Sequence, residues 1–274
     1  MKIHLKRHFS LLLAVLLVLT MIPVSTIKVS AKATTVATTA KQTAKKADKK
    51  TTKKKTKKKT KKTKKAKKQR TVFIAAGPQQ RGISSTERLA PGSSRRKAKL
   101  TSGTAGVRTH IPEYKTNLAI AKAAKKELEK RGYKVIMLRT TNNCPLSNQQ
   151  RTKKANASGA DIHICIHCNA SGASAQGPLV CVPGSSRYVG KKIFNSSRKL
   201  GSCLLSSVAK AVNKRSHGTI RSDYYTTINW AKIPTMILEC GFLTNSTEDR
   251  QLNSASYQKK LAKGIANGVD KYFK

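Results

Sequence analysis

Apolar positions along this chain fall into two periods. Five short runs, "TVFIAA", "YKVIMLRT", "DIHICIHCNA", "GPLVCVPG" and "IPTMILECGF", are each bounded by Gly, Pro, Asn or Asp. Runs of this length, rich in Val and Ile, predict buried β-strands. Between and after them the period lengthens. Leu118, Ile120, Ala121, Ala124 and Leu128 form a helical stripe that ends at Gly132, and Tyr257, Leu261, Ile265 and Val269 form another. Further helices are expected over "LSNQQRTKKANASGA" and from about Val189 to Val212. Pro112 is placed as the first helical residue, a position proline favours. Strands alternating with helices predict an α/β fold: a mostly parallel twisted sheet with helices on both faces. The connection from Gly82 to about Arg108, rich in Gly, Ser and Arg, is read as a loop without elements, long enough to suggest a functional or mobile segment.

Charge and low complexity divide the chain further. Residues 1–31 carry a basic start, "MKIHLKRHF", an apolar core, "SLLLAVLLVLTMI", and a small-residue site ending at Ala31. This is the pattern of a secretory signal peptide, and the core is short for a membrane span. An uncleaved N-terminal anchor is the other reading. Residues 32–70 hold a run with 17 lysines between Lys41 and Lys68, one acid, Asp48, and no large apolar residue. Such a segment cannot bury enough surface to offset ordering and is expected to be an extended, disordered tether. Residues 71–274 form the expected folded domain, and they too are basic, with 34 Lys and Arg against 10 Asp and Glu. The six cysteines resemble no small disulfide framework. Cys165 and Cys168, four positions inclusive on one strand, point to opposite faces and make a poor metal clamp. They are read as core thiols.

Three residues carry candidate chemistry. His167 stands near the end of "DIHICIHCNA", and Glu239 sits among Ile237, Leu238 and Phe242. Strands deplete Glu, and a carboxylate in apolar surroundings is costly unless it is paired, metal-bound or poised as a base. Glu113 opens a helix, where a carboxylate also serves simply as a partner for the helix dipole. A His and two Glu from three places suit metal-assisted hydrolysis, two or three holding an ion and one moving protons.

The motifs E-x-x-x-N-L, "IHCNAS" and "ILECGFLTN", in this order along residues 71–273, resemble the secreted zinc-dependent N-acetylmuramoyl-L-alanine amidases. The resemblance implies cleavage of the amide between N-acetylmuramic acid and L-alanine of the peptidoglycan stem peptide. It implies Zn2+ as cofactor, with Glu113 and His167 as zinc ligands and Glu239 as the catalytic glutamate. One ligand departs from the pattern. The family's I-D-x-G-H, which carries the first zinc histidine, reads here Ile74-Ala75-Ala76-Gly77-Pro78. Gln79, Gln80 and above all His110 are the candidates to replace it, whereas His163, four residues back on the strand, is expected to pack in the sheet.

With a signal peptide, the protein is expected to be secreted, extracellular or associated with the cell wall, with no stable membrane span after cleavage. Its partners are then peptidoglycan and, through the Lys-rich tether, anionic wall polymers; nucleic acid is not expected. Two other readings are a degenerate amidase-fold protein that binds peptidoglycan or regulates other wall hydrolases, and a polyanion-binding surface protein in which the tail matters most.

Overall fold

The computed structural model describes residues 68–274. The expected signal peptide and nearly all of the Lys-rich segment lie outside the described residues. The chain begins with strand β1 (Thr71–Ala76), followed by β2 (Ile83–Arg88), β3 (Arg96–Leu100), helix α1 (Glu113–Lys130), β4 (Lys134–Met137), α2 (Asn148–Ala157) and β5 (Ile162–Asn169). It continues through β6 (Leu179–Val182), α3 (Gly190–Val212), β7 (Gly218–Arg221), α4 (Thr226–Asn229), β8 (Thr235–Phe242), α5 (Ser246–Leu252) and α6 (Ala255–Phe273).

Six strands form one sheet in the order β4-β1-β5-β8-β6-β7. β4, β1, β5 and β8 run parallel, β6 is antiparallel to β8, and β7 is parallel to β6. The mostly parallel sheet is therefore present, with its turnover at the β8–β6 pair. Alternation along the strands supplies two cores. Val72, Ile74, Ile164, Ile166 and Leu238 pack with α1, α3 and α6, while Phe73, Cys165 and Ile237 pack with Ala155 of α2 and Ile228 of α4. Helices thus cover both faces. Each fully buried Ile or Leu contributes roughly 1.5–3 kcal/mol.

Several expectations are corrected. The segment 82–108 is not a loop without elements: β2 and β3 pair as an antiparallel two-stranded sheet within it. Its strands are short, polar and largely exposed, so no apolar alternation marked them. Pro112 is not the first helical residue. It has extended backbone angles (φ −62°, ψ 142°) and caps α1 from outside, and Glu113 begins the helix. β7, four residues with an exposed face, carried no apolar signal. All six cysteines are free and buried, and Cys165 and Cys168 do lie in opposite cores.

Candidate active site

The parallel register brings three strand ends side by side. Ala76 pairs with Ile166, and the Gly77 N–H continues the ladder to the Ile166 carbonyl at 2.9 Å. On the next strand His167 is the register partner of Glu239. The C-terminal ends of β1, β5 and β8 therefore form a row, the place where open α/β sheets gather ligands. His167 and Glu239 share strand parity and project on the same side of the sheet.

Glu113 reaches this row from the first position of α1. Its Oε1 lies 3.0 Å from His167 Nδ1 and accepts from Asn117 Nδ2 at 2.9 Å, one turn along the helix. Its Oε2 accepts the Thr104 N–H at 3.1 Å. Gly103, at φ +82°, makes the close approach possible: a Cβ there would stand 2.4 Å from Glu113 Oε2 and 2.7 Å from Pro78 Cγ. Gly103 thus packs against both the Glu113 carboxylate and the Pro78 ring. Gly77 packs still more tightly, since a Cβ on it would lie 2.0 Å from His167 Nε2. Asn117 was legible in the sequence as the N of E-x-x-x-N-L, where a spacing of four on a helix sets two side chains on one face. Gly103 and Thr104 carried no such signal.

The cleft above these groups has two recesses, of about 240 and 290 Å³, and His167 and Glu239 line both. Pro78, Asn148 and Tyr225 wall the first, and Gly103, Thr104 and Glu113 the second. A larger cleft of about 640 Å³ between residues 171–176 and 213–217 has no carboxylate in its lining, so volume alone does not locate the chemistry. Glu239 Oε2 is shut off from solvent and has no hydrogen-bond partner. Burial, reinforced by the Glu113 charge and opposed by His167, pushes the Glu239 carboxyl up to about 7. For His167, burial favours the neutral ring, but the hydrogen bond and charge of Glu113 outweigh it and raise the imidazole above its usual range.

The other candidates do not join the site. Gln79 is buried, with its Oε1 accepting from the Cys144 N–H at 2.6 Å and its Nε2 donating to the Arg81 carbonyl at 2.6 Å. Gln80 is exposed, and its N–H donates to the Asn142 carbonyl. His110 is exposed and lines neither recess. His163 packs in the sheet as expected: it is fully buried, edge-on to Phe73 at 5.2 Å between ring centroids, and burial lowers its pKa to about 3.

These positions test the fit of a zinc ion. Glu113 and His167 bring two donors together at 3.0 Å. Pro78, which stands where the family pattern carries a histidine, lines the same recess as His167 and Glu239 and has no side-chain donor atom. Among the described residues no group of three or more His, Cys, Asp or Glu is arranged to hold a metal. The residues present do not complete a site of three protein donors plus water.

A mostly parallel α/β domain with a histidine and a glutamate at adjacent strand ends and a second glutamate reaching them from a helix start has the make-up of a hydrolase. The family model for N-acetylmuramoyl-L-alanine amidase matches residues 90–271, and the chain belongs to that family. The match begins after β1, so Ala75 and Pro78 stand outside it. Among relatives, the uncharacterized protein YqiI of Bacillus subtilis (strain 168) is 33% identical over 157 residues, covering 57% of this chain and 72% of YqiI. The N-acetylmuramoyl-L-alanine amidase LytC of the same organism is 28% identical over 163 residues, 59% of this chain and 31% of LytC, so the chain spans under a third of that enzyme's length. Of solved structures, an N-acetylmuramoyl-L-alanine amidase from Clostridium difficile 630 superposes with a TM-score of 0.60 at 28% identity, covering 75% of this chain and 97% of that one. Ami1 from Mycobacterium smegmatis gives 0.67 at 19% identity over 74% and 96%, a likeness of fold.

Proposed function

We propose that the chain is a peptidoglycan hydrolase that cleaves the amide between N-acetylmuramic acid and L-alanine of the stem peptide, in remodelling or lysis of the cell wall. The observation that carries this is the meeting of Glu113, His167 and Glu239 in one cleft of an amidase-family domain. In the reaction water adds its oxygen to the amide carbonyl carbon, and the carbon–nitrogen bond breaks. Glu239 takes a proton from the water and delivers it to the departing L-alanine nitrogen, leaving a carboxylate on the lactyl side and a free amine on the peptide. Glu113, fixed by Asn117 and Thr104, holds His167 against Gly77 and opposite Glu239. The zinc that the family resemblance implies would find donors in Glu113 and His167, and the set is one protein ligand short. Placement outside the cell or on the wall, and retention there by the Lys-rich segment on anionic polymer, follow from the sequence patterns of residues 1–70.

The test is mass spectrometry of isolated peptidoglycan incubated with the protein and zinc. Stem peptides with a newly freed L-alanine amine are expected, and Glu239→Gln should release them at least about a hundredfold more slowly. Binding to peptidoglycan without release, alongside an active family member, would overturn the hydrolase reading.

A further inference from the structure

On the face of the domain made by α1 and α6, lysines outnumber everything else that carries charge. Lys122, Lys126 and Lys130 follow one another at spacings of four along α1, a row about 12 Å long at 1.5 Å per residue. Lys259 and Lys263 do the same on α6, and the two rows border a groove of about 600 Å³. Ala119, Ala123 and Ala262 also line it, short side chains that leave room for a chain laid along the groove. All five lysines are exposed, and none has a carboxylate partner among the described residues. The one acid at the groove, Glu127, is already bound by Arg131 at 2.8 Å. Like charges at i, i+4 destabilise a helix, so the row on α1 is a local cost that an anion of matching spacing would remove.

We propose that this groove is a binding site for a linear polyphosphodiester, a single chain of regularly spaced anionic phosphates without bases. Two features single out that occupant. A membrane-docking face sets large apolar side chains beside its basic ones, but the exposed large hydrophobics among the described residues are Val107, Ile220 and Tyr224, none of them on α1 or α6. Single-stranded nucleic acid is held by aromatic platforms as well as charge, and no aromatic residue lines the groove. What remains is periodic positive charge over an alanine floor, matched to a thin, flexible, regularly charged polymer. The groove shares no lining residue with the cleft at His167 and Glu239, so polymer and substrate can be held together. The proposal does not depend on catalysis.

The test is lysine footprinting of the full chain with an amine-acylating reagent, read by peptide mass spectrometry, with and without poly(glycerol phosphate). Acylation of Lys122, Lys126, Lys130, Lys259 and Lys263 should slow at least threefold, while exposed Lys191 and Lys192 of α3 change little. Protection confined to the lysines of residues 41–68, or spread evenly over the surface, overturns the proposal. So does groove protection by anionic lipid vesicles or a single-stranded oligonucleotide at equal charge when the polymer gives none. A second measurement uses the full-length variant K122Q/K126Q/K259Q/K263Q. Its binding to the polymer should lose about 3 from the slope of log affinity against log salt, on the basis of about 0.7 per neutralised phosphate. Its melting temperature should match or slightly exceed the parent's, since the lysines are exposed and their mutual repulsion on α1 is relieved. An unchanged slope in a folded variant also refutes the site.

Discussion

Glu239 and Pro78 define what this site can do, one by being retained and the other by being a proline. Glu239 has a partnerless, solvent-shielded oxygen in an amidase-family cleft. If Glu239 is the base proposed above, Glu239→Gln keeps the shape and removes it, so turnover on peptidoglycan should fall by about 10²–10⁴. Its melting temperature should hold or rise, because a costly buried charge is gone. Loss of both folding and activity would leave Glu239 as a structural residue. Pro78 lines the recess of His167 and Glu239 and has no side-chain donor atom. In Pro78→His an imidazole is placed there, and zinc content after dialysis, measured by elemental analysis, should rise from a fraction to about one ion per chain. Equal zinc in both proteins would mean that another group completes the site. The same neighbourhood makes Gly103→Ala damaging, through its positive φ and through the overlap with Glu113.

At the scale of elements, two contacts hold the framework of the site. The first is α5. Asp249 at its start is fully buried and accepts the backbone N–H groups of Arg108 and Thr109 at 2.7 Å each, the Thr109 hydroxyl at 2.7 Å and Asn253 Nδ2 at 2.9 Å. Burial alone would raise its pKa, but the bonds from Thr109 and Arg108 outweigh it and hold the carboxyl below its usual value. A depressed folded pKa stabilises above the unfolded value of about 3.9 and is lost as pH falls through the lower folded one. Stability should therefore decline below about pH 4 more steeply in the parent than in Asp249→Asn, which starts lower because it lacks the charged acceptor; chemical denaturation across pH 2–6 would reveal parallel curves if the assignment is wrong. The second contact is the α3–α6 crossing. A Cβ on Gly268 would lie 2.7 Å from Leu204 Cα, and one on Gly264 2.8 Å from Val208 Cα. Gly268→Ala should cost about 1–3 kcal/mol by overpacking, despite alanine's better helix propensity.

For the whole molecule the thiols are the informative feature. Every cysteine of the chain lies in the described domain, unpaired and buried. An excess of reductant should leave the melting temperature unchanged, and a drop of several degrees would reveal a disulfide. The basic character is also distributed over the molecule: lysines crowd residues 41–68 and recur in the groove of α1 and α6. Deleting residues 32–67 should weaken salt-sensitive retention on isolated walls without changing hydrolysis of a soluble muramoyl peptide.

The division between sequence and structure follows from the range of the forces involved. Period-two and period-3.6 burial is local, so β1, β5, β8, α1 and α6 were legible from their own residues, and the family motifs marked Glu113, His167 and Glu239. The departure of Pro78 from the family's histidine pattern was legible too, because it is an identity and not a geometry. Polar, exposed β2, β3 and β7 were not, because pairing rather than a buried face holds them. Register across parallel strands set His167 opposite Glu239. Close packing set Gly77 against His167 and Gly103 against both Glu113 and Pro78, His110 lies outside the cleft, and two helices distant in sequence aligned their lysines along one groove. Those placements join residues tens of positions apart, and only the packed chain decides them.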